Sequence, residues 1–122
     1  MNHAIIRPIF RIFDYKKAVE FYVDWLGFKI LDEHTFEENS PLYIRILLDD
    51  VEIHLCEHHG DCSPGAKIII ENFIGLKDYH QKLIQKNDKY NNPGIEKAFW
   101  NEKIYCVEVI DPFGDKIIFT GE

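Results

Sequence analysis

Two copies of one arrangement of strands and helices, about 60 residues apart, constrain the fold more than any other feature of this sequence. In each copy a short apolar strand precedes an amphipathic helix, and further strands follow the helix. The two helices share the spacing i, i+3, i+4, i+7 and i+8, which gives each a single apolar stripe. The stripes consist of Ala18, Phe21, Tyr22, Trp25 and Leu26, and of Leu76, Tyr79, His80, Leu83 and Ile84. The pattern predicts an α+β domain over 1–122 with two repeated units, at about 1–60 and 65–122.

The first copy has clear boundary signals. Ala4–Phe13 alternates in the manner of a strand, and Pro8 within it favours a sheet edge because proline cannot donate a ladder hydrogen bond. Asp14 is a good helix N-cap, and Gly27 is a good residue to end the helix. Phe28–Phe36 is then the second strand. Further strands are predicted at 42–48, 51–57, 66–71, 103–110 and 116–120, and the second helix at 76–86.

The segment Val51–Gly65 holds much of the polar chemistry of the chain. Its first half alternates apolar and polar residues, so Glu52, His54 and Cys56 point to one face of a strand. Its second half holds paired histidines, a glycine, an aspartate and a Ser-Pro-Gly, and this composition predicts a loop. The question that this segment raises is whether it holds a metal or lines a pocket.

The strand that precedes this segment fixes which side chains meet. If Asp49 and Asp50 form a two-residue hairpin turn, Arg45 lies opposite His54, and Tyr43 lies opposite Cys56. All four side chains then share one face of the sheet. The apolar residues of both strands pack together on the other face.

Composition excludes several classes of protein. A formal net charge of −7 argues against a protein that binds nucleic acid through its phosphates. The three cysteines do not form a disulfide framework. The N-terminus does not resemble a secretory signal, and no apolar stretch approaches the roughly 20 residues of a membrane span. We therefore expect a cytoplasmic protein that binds neither nucleic acid nor membrane.

Two motifs carry a resemblance to a known family. They are the helix end from Ala18 to Phe28, which reads AVEFYVDWLGF, and the turn Asp111-Pro-Phe-Gly114, preceded by Trp100. Together they resemble the glyoxalase/bleomycin-resistance, or vicinal oxygen chelate, superfamily, and the resemblance covers nearly the whole chain. It implies two βαβββ units that form a curled mixed sheet around a cleft, with a homodimer as the expected assembly.

The resemblance also implies where a metal would bind in metal-dependent members. Each unit of such members offers ligands from its first and last strands, and these positions correspond here to Arg7, His54, Lys67 and Ile118. Only His54 has a side chain that binds a metal as expected. We therefore expect no cofactor and a closer match to the bleomycin-resistance branch, whose members sequester a small molecule without chemistry and confer antibiotic resistance.

The predicted ligand site combines polar side chains of the hairpin face with aromatic walls. Its members are His54, Arg45, Tyr43, Glu52, Arg7, Trp100 and Phe36. The acidic composition and the aromatic walls favour a cationic, partly aromatic ligand such as a bleomycin-type antibiotic. By contrast, Arg7, Arg11 and Arg45 on one face would make the site basic and favour a small anionic or zwitterionic ligand.

An enzyme is the alternative. His54, His58 and Cys62 could bind a divalent metal ion, which would make the protein a metal-dependent glyoxalase-like lyase or dioxygenase with a relocated site near His54 and the His58–Cys62 loop. Against this, histidines and aspartates at strand ends more often bond the backbone of the turn. A domain that binds an endogenous metabolite is a third possibility.

Overall fold

The computed structural model describes residues 3–35, 37–38, 40–89 and 91–122. The chain divides into two compact units, Met1–Pro64 and Gly65–Glu122. Each unit contains one four-stranded sheet and one helical segment. Among the described residues, no helix is both long and apolar enough to cross a membrane.

The first unit places its strands in the order β1-β4-β3-β2. Strand β1 runs parallel to β4, and the other neighbours are antiparallel, so the sheet is mixed and open at β1 and β2. The elements are β1 Ile9–Arg11, α1 Tyr15–Val19, a π-helix Glu20–Trp25, β2 Lys29–Thr35, β3 Leu42–Leu48 and β4 Val51–Cys56.

Strand β1 is shorter than the sequence predicts. Only Ile9–Arg11 of the predicted Ala4–Phe13 forms a strand. Pro8 lies just before it and accepts a hydrogen bond from the backbone N–H of His54 at 3.0 Å, although it has no N–H of its own to donate. The predicted edge position is confirmed, because β1 pairs with β4 alone.

The helical segment begins as predicted but changes character halfway. Asp14 caps α1, because its Oδ1 accepts from the backbone N–H of Lys17 at 3.0 Å. After Val19 the hydrogen bonds widen to the π pattern, as the Leu26 N–H bonds the Phe21 carbonyl five residues earlier at 2.9 Å. Gly27, with φ of 91°, ends the segment. All five members of the predicted apolar stripe are buried: Ala18, Phe21, Tyr22, Trp25 and Leu26.

The hairpin of β3 and β4 has the predicted register. Arg45 pairs with His54, and Tyr43 pairs with Cys56. The alternate residues Ile44, Ile46, Ile53 and Leu55 are buried, on the face that also carries Phe10, whose ring lies 6.5 Å from that of Tyr22. One face of the sheet therefore packs on the helical segment, and the other carries the polar side chains.

The second unit repeats this topology. Its strand order is β5-β8-β7-β6, with β5 parallel to β8 and the other pairs antiparallel. The elements are β5 Lys67–Ile70, α2 Leu76–Lys86, β6 Glu96–Ala98, β7 Asn101–Ile110 and β8 Lys116–Gly121. The α+β fold of two mixed, open, four-stranded sheets is thus confirmed.

The core of the second unit forms where α2 packs on β7 and β8. The rings of Phe73, Tyr79 and Phe119 contact one another at centroid distances of 4.8 to 5.2 Å. Tyr105, whose orientation the sequence left open, lies with its ring 4.5 Å from Lys77 Nζ of α2. Tyr105 therefore belongs to the helix face of this sheet.

The turn between β7 and β8 contains a buried pair of aspartates. Asp111 Oδ1 accepts from the backbone N–H groups of Phe113 and Asp115, both at 2.8 Å. Asp115 Oδ1 accepts from the backbone N–H groups of Gly65 and Ala66 at 2.9 and 3.0 Å, which ties the start of this unit to its last hairpin. Asp115 Oδ2 is buried and has no hydrogen-bond partner within the described part of the chain. Burial, together with the neighbouring Asp111 carboxyl group, raises the pKa of Asp115 from 3.8 to about 6.

We predict that Asp115→Asn removes a pH-dependent loss of stability. The folded protein holds this proton more tightly than the unfolded chain, so Asp115 favours folding below its unfolded pKa, and this contribution disappears as the pH rises through about 6. The amide keeps the acceptor for Gly65 and Ala66 but does not ionise. In urea titrations, the free energy of unfolding of the variant should gain on the order of 2 kcal/mol over wild type across this window. The matched variant Asp50→Asn, in the exposed hairpin turn, should track wild type. Parallel curves for Asp115→Asn and wild type would contradict the prediction.

Candidate functional site

Five polar side chains meet on the open face of the first sheet, and one carboxylate oxygen holds three of the others. Glu52 Oε2 lies 3.3 Å from Arg7 Nε, 3.3 Å from Arg45 Nε and 2.6 Å from His54 Nε2. Tyr43 completes the group through His54. We call these five residues the carboxylate network. All five were predicted as site residues from the alternation of the strands.

His54 is fixed by hydrogen bonds on both ring nitrogens. Its Nε2 contacts Glu52, and its Nδ1 lies 2.5 Å from Tyr43 Oη. With Glu52 ionised, Nε2 carries the proton and donates to it, so the neutral ring accepts the Tyr43 hydroxyl proton at Nδ1. The Tyr43 ring meets the imidazole edge to face at 5.2 Å. His54 therefore lacks a spare lone pair for a metal unless one of these bonds breaks.

The charges of the network are set by these contacts. The pKa of Glu52 is lowered from 4.5 to about 2. The largest cause is the hydrogen bond with His54, and the positive charges of Arg45 and Arg7 act in the same direction. Burial, with negative groups nearby, raises the pKa of Tyr43. Glu52 is thus a permanent anion near neutral pH, and Tyr43 stays a neutral hydroxyl.

The three arginines that were expected to make one face basic are all paired with acceptors. Arg45 pairs with Glu52 and also with Asp32, at 2.5 Å between Nη1 and Oδ2. Arg11 is buried and donates from Nη1 to the backbone carbonyls of Ile12 and Cys56, at 2.6 and 3.3 Å. Each guanidinium thus has an acceptor, and Glu52 and Asp32 offset the positive charge of Arg7 and Arg45 on this face.

The positions that correspond to metal ligands in metal-dependent relatives do not fit a metal here. Arg7 and Lys67 carry positive charges and are paired with carboxylates, Arg7 with Glu52 and Lys67 with Glu108 at 3.3 Å. Ile118 has no donor atom. With both ring nitrogens of His54 in use, these four positions do not supply a ligand set.

The loop after β4 places His58 and Asp61 beside Cys56, the last residue of that strand. Cys56 is buried, and its thiol donates to Asp61 Oδ2 at 3.0 Å and lies 3.6 Å from His58 Nδ1. Burial raises the pKa of Cys56 to about 11, so this thiol stays protonated and is a poor nucleophile. A hollow of about 400 Å³ opens beside it, lined by Tyr43, His58, His59, Gly60 and Asp61.

The alternative metal site on His54, His58 and Cys62 concerns the same loop. His54 faces Tyr43 and Glu52, whereas His58 faces Cys56. Within the described residues, no three His, Cys, Asp or Glu side chains are arranged to hold a metal ion. The structure thus places two of the proposed ligands in separate hydrogen-bonded groups.

The second unit has a hollow of its own, on the sheet face opposite α2. It has a volume of about 460 Å³ and is lined by Ile69, Gly94, Glu96, Phe99, Trp100, Cys106, Glu108 and Ile118. We call it the aromatic hollow. Phe99 and Trp100 form the two-residue turn between β6 and β7, with their rings edge to face at 5.0 Å. They are 96% and 49% exposed, which is unusual for large aromatic side chains.

Sequence reasoning found only part of the aromatic hollow. Trp100 was predicted, and the predicted wall residue Phe36 lies outside the described residues. Phe99, Glu96 and Glu108 were missed. The available signal was the pair of adjacent aromatic residues, Phe99 and Trp100, shortly before the predicted strand 103–110.

Similarity to known proteins agrees with the fold described above. The sequence profile of the glyoxalase superfamily matches residues 1–122. No curated protein matches the chain in sequence. A glyoxalase family protein from Enterococcus faecalis has a similar structure, with a TM-score of 0.72 and 14% identity over 96% of each chain.

Two further solved structures are similar to this chain. A bleomycin-binding protein complexed with bleomycin gives a TM-score of 0.71 at 15% identity, over 98% of this chain and 99% of that one. A member of the glyoxalase/bleomycin resistance protein/dioxygenase superfamily from Sphaerobacter thermophilus gives 0.69 at 17% identity, over 98% of each chain. At such identities the likeness shows the fold. Together with the profile match, it shows that this chain belongs to the glyoxalase superfamily.

The network yields a stability prediction for Glu52→Gln. Because the pKa of Glu52 is lowered in the folded protein, its stabilising effect is present above the unfolded pKa of 4.5 and is lost as the pH falls through about 2. The variant should therefore melt at a lower temperature than wild type at neutral pH, and the gap should close as the pH falls through this window. Calorimetry measures both effects.

Glu108→Gln is the matched control. It also removes one carboxylate, but among the described residues that carboxylate is paired with Lys67 alone, and it is more exposed, so the loss in melting temperature should be smaller. A Glu52→Gln protein that melts like wild type at neutral pH would show that the network does not stabilise the unit.

Proposed function

We propose that this protein binds a small, cationic, partly aromatic molecule in the aromatic hollow and holds it without chemical conversion, as a resistance protein of the bleomycin-binding type. The observation that carries the proposal is the lining of that hollow, where exposed aromatic side chains stand beside carboxylates. A bleomycin-binding protein shares the fold, although not the sequence. Antibiotic resistance would follow from sequestration of the ligand.

The apolar part of the hollow suits a flat ring system. Trp100 and Phe99 project from a hairpin, and Ile69 and Ile118 form the floor on adjacent strands. Aromatic pairs and cations over aromatic faces are worth about 0.5 to 2 kcal/mol each. Burial of these exposed rings against a ligand adds a hydrophobic contribution.

The polar part of the hollow suits a cation. Glu108 is paired with Lys67, but Glu96 has no ion pair with any residue that the structure describes. A cationic tail placed beside Glu96 gains a partner without displacing another charge. The formal net charge of −7 adds long-range attraction for such a ligand.

The hollow offers little for catalysis. Cys106 supplies a nucleophilic atom, but burial raises the pKa of its thiol, which keeps it protonated. The remaining lining residues are apolar side chains, a glycine and two carboxylates. The positions that hold a metal in metal-dependent relatives are Lys67 and Ile118 in this unit, and neither is a metal ligand.

We predict that metal-free bleomycin binds and that Trp100→Ala weakens binding at least tenfold, since each factor of ten costs about 1.4 kcal/mol. Glu96→Gln should weaken binding less and reduce its dependence on salt, because it removes one charge contact. Isothermal titration calorimetry measures both. Ile74→Ala, which truncates an exposed apolar side chain outside the hollow, should bind like wild type.

Three outcomes would contradict the proposal. They are the absence of binding, binding that Trp100→Ala leaves unchanged, and the appearance of a chemically altered ligand in the titration mixture. Elemental analysis of the purified protein addresses the lyase or dioxygenase alternative directly. A metal-to-protein ratio near one that is lost in His54→Ala would favour that alternative.

A further inference from the structure

Two guanidinium groups of the carboxylate network are held at fixed positions by one atom. Arg7 Nε and Arg45 Nε each lie 3.3 Å from the same oxygen, Glu52 Oε2. The two Nε atoms are therefore within about twice that distance of each other. Arg45 is held a second time by Asp32, through Nη1.

The terminal nitrogens of these guanidinium groups include hydrogen-bond donors that no described residue uses. Arg7 uses only Nε, and Arg45 uses Nε and Nη1. Within the described residues, both terminal nitrogens of Arg7 and the Nη2 of Arg45 make no hydrogen bond or ion pair. The two side chains are 36% and 40% exposed, so a ligand can reach these nitrogens.

We propose that Arg7 and Arg45 together form a binding site for an oxyanion, a carboxylate or a phosphate group, on the open face of the first sheet. The planar guanidinium fork matches the paired oxygens of such groups, which a single ammonium does not. Because Glu52 already orders both side chains, binding requires little further loss of side-chain entropy. The site stands apart from the proposed function, since none of its residues lines the aromatic hollow.

The balance of charge sets the strength and the selectivity of the site. The two guanidinium groups are matched by the carboxylates of Glu52 and Asp32, so the site has no net charge when His54 is neutral. Affinity must then come from directed hydrogen bonds, and we expect a Kd on the order of 1 mM. A spherical anion such as chloride cannot use the fork and should bind more weakly.

Nuclear magnetic resonance of the arginine side chains tests the proposal on the full chain. The Nε–Hε signals of Arg7 and Arg45 should shift and saturate with sodium phosphate or sodium acetate, but not with sodium chloride at equal ionic strength. Arg11 is an internal reference, because its guanidinium is buried and bonded to backbone carbonyls. A response to phosphate alone identifies a phosphate site, and a response to both identifies a general oxyanion site.

Arg7→Gln should weaken oxyanion binding at least tenfold, measured on the Arg45 signal. Arg7→Lys keeps the charge but loses the fork, and should weaken binding by a similar factor. Lys67→Gln removes a half-exposed cation that is likewise paired with one carboxylate, and should bind within twofold of wild type. Equal shifts in chloride, or binding by Arg7→Lys as tight as wild type, would overturn the proposal. The bleomycin titration is independent of both results.

Discussion

The register of the β3–β4 hairpin is the constraint on which the first unit depends. Since side chains alternate between the two faces of a sheet, a slip of one residue would send His54 and Glu52 to the helix side and bring buried isoleucines out to the open face. The two-residue turn at Asp49 and Asp50 prevents this slip, and Asp49 adopts a positive φ of 53° to make it. The turn therefore determines which side chains lie on the open face, and only then can their charges attract one another in the carboxylate network.

The two units show how one scaffold supports two kinds of surface. Equivalent positions are identified by the parallel strand pairs, in which Ile9 lies beside His54 in the first unit and Ile69 lies beside Ile118 in the second. An imidazole at the first position allows a chain of hydrogen bonds to Glu52. An isoleucine at the second makes no hydrogen bond, and Ile118 instead lines the aromatic hollow beside Phe99 and Trp100. One residue on the last strand of each unit therefore contributes to the different character of the two faces.

Elements with a strong local pattern were predictable from the sequence, and contacts that depend on irregular strands were not. The bounds of β3 at Leu42–Leu48 and α2 at Leu76–Lys86 match the predictions, because alternation and the apolar stripe define them. The alternation also brought together all five members of the carboxylate network. It did not reveal Asp32 as the partner of Arg45, since β2 carries an irregularity between Ile30 and Asp32 that resets its register. The aromatic hollow was largely missed for the same reason, because the β6–β7 pairing is irregular too.

The π-helix at Glu20–Trp25 has a consequence for the comparison of this chain with its relatives. A π turn contains one residue more than an α turn between the same hydrogen-bonded ends. A relative with an ordinary α-helix here would reach the same end point, the equivalent of Gly27, with one residue fewer. An alignment without a gap in this segment would then shift every following position by one and exchange the two faces of each strand. The placement of a single gap thus decides which residues of a homologue are read as equivalents of the network.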